Sequence, residues 1–132
     1  MKSLDSFLNP KRKENLRFVL SDAFQGEDGE PLEWEMRQLS AKEGLELKCQ
    51  ISGGDYMEIM TAYVAHALVY PDMHDAELQD ALSKREGKPI VRPADALVAL
   101  VSDAELAELV RRYSEHNELT AKFRDKVDEA KN

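Results

Sequence analysis

The chain has 132 residues, a formal net charge of −8 at pH 7 and one cysteine, Cys49. This length fits one domain with a buried core, and a lone cysteine excludes an intrachain disulfide, so we expect Cys49 to be a small, at least half-buried hydrophobe. The charge argues against nucleic acid as a partner, because phosphate binding needs more clustered Lys and Arg than Lys11-Arg12-Lys13 provides. We also expect no membrane partner and no secretory signal, and therefore a place in the cytoplasm.

Residues 1–14 are predicted to form an arm. Leu4, Phe7 and Leu8 share one helical face, and Asn9-Pro10 breaks the pattern before a run of charged residues. Such a segment is expected either to be mobile or to dock on another molecule through Phe7 and Leu8.

A β-hairpin is predicted over residues 16–38. Residues 16–20 are rich in β-forming side chains, and a turn with glycines and a proline follows. Leu32, Trp34 and Met36 then alternate with charged residues, which places these three apolar side chains on one face. A lone hairpin is marginal in water, so this face needs helices to cover it.

Helical signals dominate from residue 41 to about residue 130. Ser40, Asp55 and Ser102 each begin a capping-box pattern. The strongest helix is predicted over residues 56–69, and its broad apolar stripe is assigned mainly to the core. The other helices are expected over about 41–49, 75–82 and 93–100 and from 103 onward, with an exposed loop over 83–92. The expected fold is therefore α+β, with the hairpin packed on a predominantly helical single domain over residues 15–132.

The chain offers no recognisable catalytic or metal-binding pattern. His74 and the acids of residues 72–80 lack the glycine and terminal glutamate of a calcium loop and the paired histidines of a helical zinc motif. Helix capping by Asp72 or Asp75 explains these acids better. His66 has no recognisable nucleophile or orienting acid. We expect no cofactor, no metal and no enzymatic activity; a small metal-dependent enzyme using His66 or His74 is the weakest alternative.

Apolar side chains near both ends of the chain exceed what a core requires. Leu119, Phe123 and Val127 form a stripe one side chain wide on a charged helix. Narrow apolar stripes of this kind suit docking against helical partners. We therefore predict that Phe7, Leu8, Leu119, Phe123 and Val127 are partner-binding residues.

The most specific stretch of the sequence joins its two helical halves as Tyr70-Pro71-Asp72 and Asp75-Ala76-Glu77-Leu78-Gln79-Asp80. With this stretch as its fingerprint, the chain resembles the tail assembly chaperones of contractile-tailed prophages of Gram-positive bacteria. It departs from the family pattern over residues 82–93, where a longer loop with prolines follows. The other matching features are Leu4-Asp5-Ser6-Phe7-Leu8, the hairpin with Phe18 and Trp34, Leu39-Ser40-Ala41-Lys42-Glu43 and residues 127–132, which are similar to the acidic helical end of the family.

The resemblance implies a role in assembly. Such chaperones coat the long, helical, apolar tape measure protein before the tail tube polymerises around it, and they are absent from the finished virion. The expected function is thus to bind the tape measure protein and keep it soluble in the host bacterial cytoplasm. The tail tube protein is a second candidate partner, and self-association is expected. The main alternative is a structural tail or baseplate component.

Overall fold

The computed structural model describes residues 4–51 and 53–118, which form a three-stranded antiparallel sheet and six helices. The predicted α+β fold is confirmed. None of the helices in the described part of the chain is both long and apolar enough to cross a bilayer. In chain order the elements are α1 (Asp5–Leu8), β1 (Leu16–Val19), β2 (Glu33–Met36), α2 (Ala41–Gln50), α3 (Tyr56–Ala67), β3 (Leu68–Tyr70), α4 (Ala76–Glu86), α5 (Pro93–Leu100) and α6 (Asp103–Asn117).

The predicted hairpin is the first two strands of the sheet. β1 and β2 pair antiparallel with Phe18 opposite Trp34. Trp34 and Met36 are buried on the covered face, and Leu32, just before the strand, is half-buried. The Phe24 ring packs edge-on against Trp34 at a centroid distance of 5.2 Å. The alternation of apolar and charged residues thus correctly predicts which face of the hairpin is covered.

A third strand lies where the sequence predicts the end of a helix. α3 ends at Ala67, and Leu68 and Tyr70 pair with β2, in the sheet order β1-β2-β3. The prediction that this helix reaches residue 69 is wrong for two reasons. The residue before Pro71 avoids helical backbone angles, and the open edge of β2 supplies backbone partners that satisfy the polar groups of an extended segment.

The predicted exposed loop over residues 83–92 is also wrong in part. α4 continues to Glu86, because its last turns contain good helix formers. It ends at Gly87, whose φ of +73° is the left-handed conformation that favours glycine at helix ends. Within the remaining loop, Ile90 is buried, and its backbone N–H donates to the Ser83 hydroxyl at 2.8 Å. This loop therefore packs onto the core.

The helices cover the inner face of the sheet. α3 lies centrally and packs against α2, α5 and α6. Its Tyr56, expected on the apolar stripe, is exposed because it occupies the first position of the helix, before the chain enters the core. Cys49 on α2 is also exposed, so the expectation of a buried or half-buried thiol is wrong. The fully buried large side chains are Trp34, Met36, Val64, Met73, Leu97 and Leu109.

Three helices begin at the capping residues that the sequence predicts. Ser40 and Ser102 form complete capping boxes with Glu43 and Glu105. Asp55 also caps its helix by accepting the Glu58 backbone N–H at 2.8 Å, but without the reciprocal contact. Caps of this kind satisfy backbone donors that have no partner within the helix.

Candidate partner-binding surfaces

The arm exposes three large apolar side chains. Leu4, Phe7 and Leu8 are 70%, 73% and 65% exposed, and the one-turn helix α1 buries none of its residues. Burying a Phe or Leu side chain is worth about 1.5–3 kcal/mol. The arm is therefore chemically suited to docking on another apolar surface.

The base of the arm is tied to the end of α6. The Lys13 ammonium donates to the carbonyl oxygens of His116 at 3.2 Å and of Glu118 at 3.0 Å. Carbonyls at a helix C-terminus lack partners within the helix and attract positive charge. This contact places the arm beside residue 118. Three predicted partner-binding residues, Leu119, Phe123 and Val127, lie outside the described residues.

Four helices enclose a groove that the sequence analysis missed. It has a volume of about 720 Å³, within the usual range for binding pockets. Met57 and Val98 on its wall are 45% and 58% exposed. The methionine-rich sequence of α3 hints at such a surface, but it does not reveal which helices stand opposite. The other apolar residues of the lining are Leu47, Ile51, Ala62, Pro93, Ala94 and Leu106.

The charged residues of this groove are mainly acidic. Asp55, Glu58 and Asp103 line it together with the Arg92–Asp95 ion pair, whose atoms lie 3.0 Å apart. Since Arg92 is largely matched by Asp95, the other three carboxylates give the groove a negative potential. An apolar segment flanked by positive charge is the complementary ligand.

The two histidines of the weakest alternative are neighbours in space. The rings of His66 and His74 meet edge to face with centroids 4.8 Å apart. The Nδ1 of His66 lies 3.2 Å from the Ala62 carbonyl oxygen. Partial burial, and then the nearby His74, lower the pKa of His66. Among the described residues, no group of three or more His, Cys, Asp or Glu side chains is placed to hold a metal.

The fingerprint stretch has a structural role in this fold. Asp75 caps α4 by accepting the Glu77 backbone N–H at 3.1 Å, and Asp72 accepts the His74 N–H at 2.9 Å. Between them Met73 is completely buried, and its carbonyl accepts the Gln79 side-chain amide at 2.8 Å. These acids therefore hold the turn that inserts Met73 into the core, in agreement with the capping interpretation.

The lowered pKa values of three carboxylates predict that the folded protein loses stability at acidic pH. Hydrogen bonds from Arg37 lower the pKa of Glu43 to about 2, and those from Arg111 lower that of Glu108 to about 2. The Ser102 backbone N–H lowers the pKa of Glu105. A lowered pKa in the folded state stabilises the protein above the ordinary value of 4.5. These carboxylates therefore make the urea midpoint fall as the pH drops below that value towards 2. Burial lowers the pKa values of His66 and His116 from the ordinary 6.5, which adds a decline that begins near that pH, so we expect the midpoint to be steady only above about pH 7.

The variant Glu43→Gln provides the control for this acid sensitivity. It removes one of the three titrations, so its midpoint is expected to be lower than that of the parent at pH 7 and to decline less on acidification. Equal declines in the two proteins would contradict the assignment to Glu43.

Comparison with known proteins identifies the family. Residues 4–131 match the family described as phage XkdN-like tail assembly chaperone proteins. The chain belongs to this family. The chaperone therefore acts in phage tail assembly, and the family resemblance of its sequence is confirmed. Members of this family have an assembly function rather than an enzymatic one.

The fold of the chaperone also occurs in a solved structure. The crystal structure of the protein yqbn superposes with a TM-score of 0.72 and covers 91% of this chain and 99% of that chain, at 16% sequence identity. At this identity the likeness shows the fold alone. No curated protein matches the chaperone at a significant level.

Proposed function

We propose that the chaperone binds the tape measure protein of its phage and keeps it soluble during tail assembly in the host bacterial cytoplasm. Membership of the tail assembly chaperone family supports this proposal. The observation that most supports the proposal is the exposure of the arm, where the side chains of Leu4, Phe7 and Leu8 are each at least 65% exposed. The tail tube protein is a second candidate partner, and the chaperone is proposed to self-associate.

The contact is proposed to combine the arm with the stripe of Leu119, Phe123 and Val127. Lys13 fixes the base of the arm beside residue 118, so both apolar segments start from one region of the protein. A long helical protein with exposed apolar faces is prone to aggregate. Many copies, each binding weakly, would cover such faces through their combined contacts.

The charge of the chaperone fits this proposal. Each copy carries a formal net charge of −8. A tape measure protein coated with many copies would carry a large negative charge, which opposes aggregation through mutual repulsion.

Co-expression with the tape measure protein tests the proposal. The double variant Phe7→Ser/Leu8→Ser is expected to lower the yield of soluble tape measure protein and of the isolated complex at least tenfold. Each lost contact is worth about 1.5–3 kcal/mol, and about 1.4 kcal/mol is a factor of ten in affinity. Solubility is measured by centrifugation, and complex formation by affinity capture of the chaperone.

The matched control is Val91→Ser, because Val91 is 73% exposed and lies in the loop between α4 and α5. This variant is expected to behave like the parent chain. A tape measure protein that is equally soluble with and without the chaperone, with no complex isolated, would refute the proposal. Mass spectrometry of purified phage particles distinguishes an assembly chaperone from a structural tail or baseplate component, because the structural component would be present in the particles and the chaperone would be missing.

A further inference from the structure

We propose that the groove between α2, α3, α5 and α6 binds the arm of a second copy of the chaperone. In this contact Leu4, Phe7 and Leu8 of one copy enter the groove of the next. The interaction needs no tape measure protein, and it gives the expected self-association a defined surface. Because the same side chains are proposed to contact the tape measure protein, one arm makes only one of these two contacts at a time.

The shape and polarity of the two surfaces match. One helical turn presents the three apolar side chains of the arm, and the groove of about 720 Å³ has room for them. Its apolar wall includes Met57, whose flexible side chain adapts to different shapes. Val98 on α5 also lines the groove and is 58% exposed. Docking would therefore remove apolar area of both surfaces from contact with water.

The charges also match. Lys11 and Arg12 follow the apolar turn of the arm, and neither forms an ion pair within residues 4–51 and 53–118. The groove carries the carboxylates of Asp55, Glu58 and Asp103. An extended chain spans at most about 3.6 Å per residue, so Lys11 lies within about 11 Å and Arg12 within about 14 Å of Leu8, and both can reach the edge of the groove. This complementarity favours the arm over an acidic segment as the occupant.

The position of the arm favours a second copy over the same chain. Lys13 holds the base of the arm at the C-terminal end of α6, near His116. The groove instead includes Asp103 and Leu106 at the start of that helix. The arm of the described chain lies outside its own groove, with its apolar side chains exposed.

A contact between two different surfaces is heterologous. Each copy that donates its arm still has a groove to fill, so such contacts build rings or open chains of copies. Because the attraction is partly ionic at an exposed rim, it should weaken as salt is added.

Sedimentation velocity of the full chain, over a range of concentrations, tests the proposal. The parent is expected to form dimers and larger species that dissociate on dilution and at high salt. Phe7→Ser removes the apolar anchor from the arm, and Val98→Lys places a positive charge in the groove. Each variant alone is expected to associate at least tenfold more weakly. Val91→Lys makes the same change outside the groove and should associate like the parent.

Mixing the two variants is the decisive measurement. Phe7→Ser retains an intact groove and Val98→Lys retains an intact arm, so an equimolar mixture is expected to form a one-to-one pair that grows no further. Circular dichroism establishes that each variant is folded. Three results would overturn the proposal: a parent that is monomeric at every concentration, Val98→Lys associating like the parent, or a mixture of folded variants that forms no pair. None of these results depends on the tape measure protein, so the proposed function is tested separately.

Discussion

Replacing Trp34 with alanine is expected to destabilise the chaperone by about 3–5 kcal/mol, the usual cost of truncating a buried tryptophan. The side chain is 1% exposed and contacts the rings of Phe24 and Phe18, with centroids 5.2 Å and 6.5 Å away. A domain of this kind is typically stable by about 5–15 kcal/mol, so the variant should be close to unfolding. The measurement is urea unfolding followed by far-UV circular dichroism.

Two further variants make the result interpretable. Trp34→Phe retains an aromatic ring and should cost clearly less than the alanine variant. Val19→Ala changes a residue of β1 that is 46% exposed, and it should change the free energy of unfolding by no more than about 0.5 kcal/mol. A loss below about 1 kcal/mol for Trp34→Ala would show that the covered face of the sheet is not the centre of the core.

Replacing Arg37 with alanine is expected to cost about 1–2 kcal/mol. Its guanidinium donates to both carboxylate oxygens of Glu43, at 2.9 Å and 2.5 Å, and also to the His66 carbonyl at 3.3 Å. These contacts join the end of β2 to α2 and α3. Charge-assisted hydrogen bonds are worth about 1.5–3 kcal/mol, and the value is discounted here because the Arg37 side chain is 36% exposed.

Arg17→Ala is the matched control for Arg37→Ala. Arg17 also pairs with two glutamates, Glu33 and Glu35, but at 3.8 Å and 3.5 Å and with its side chain 65% exposed. Exposed pairs with such long distances contribute little, so a change near zero is expected. A double-mutant cycle with Glu43→Ala measures the Arg37–Glu43 coupling directly. Equal costs for the two arginines would contradict the structural role of Arg37.

The elements that the sequence predicts well carry local signals. Pro93 at the first turn places the start of α5 correctly, and Ser102 with Glu105 marks the start of α6. Period-two alternation gives the covered face of the hairpin. In each case the information lies within a few neighbouring residues, so no knowledge of the tertiary structure is needed.

The features that the sequence does not predict depend on distant segments. β3 exists because Leu68 and Tyr70 meet the free edge of β2, a partner more than thirty residues earlier in the chain. The groove is formed by side chains from four helices, and periodicity describes only one helix at a time. Of the predicted partner-binding residues, Phe7 and Leu8 are exposed, as docking requires. Their role and that of Leu119, Phe123 and Val127 remain predictions.

The exposed Cys49 has a practical consequence. It is the only cysteine in the sequence, it is accessible, and its helix neighbours Leu47 and Gln50 line the groove while Cys49 does not. A maleimide fluorophore would therefore attach at one known position, within a helical turn of the docking surface, without any engineered residue. Changes in its emission or anisotropy would report when that surface becomes occupied, and they would allow the rates of docking to be followed in real time.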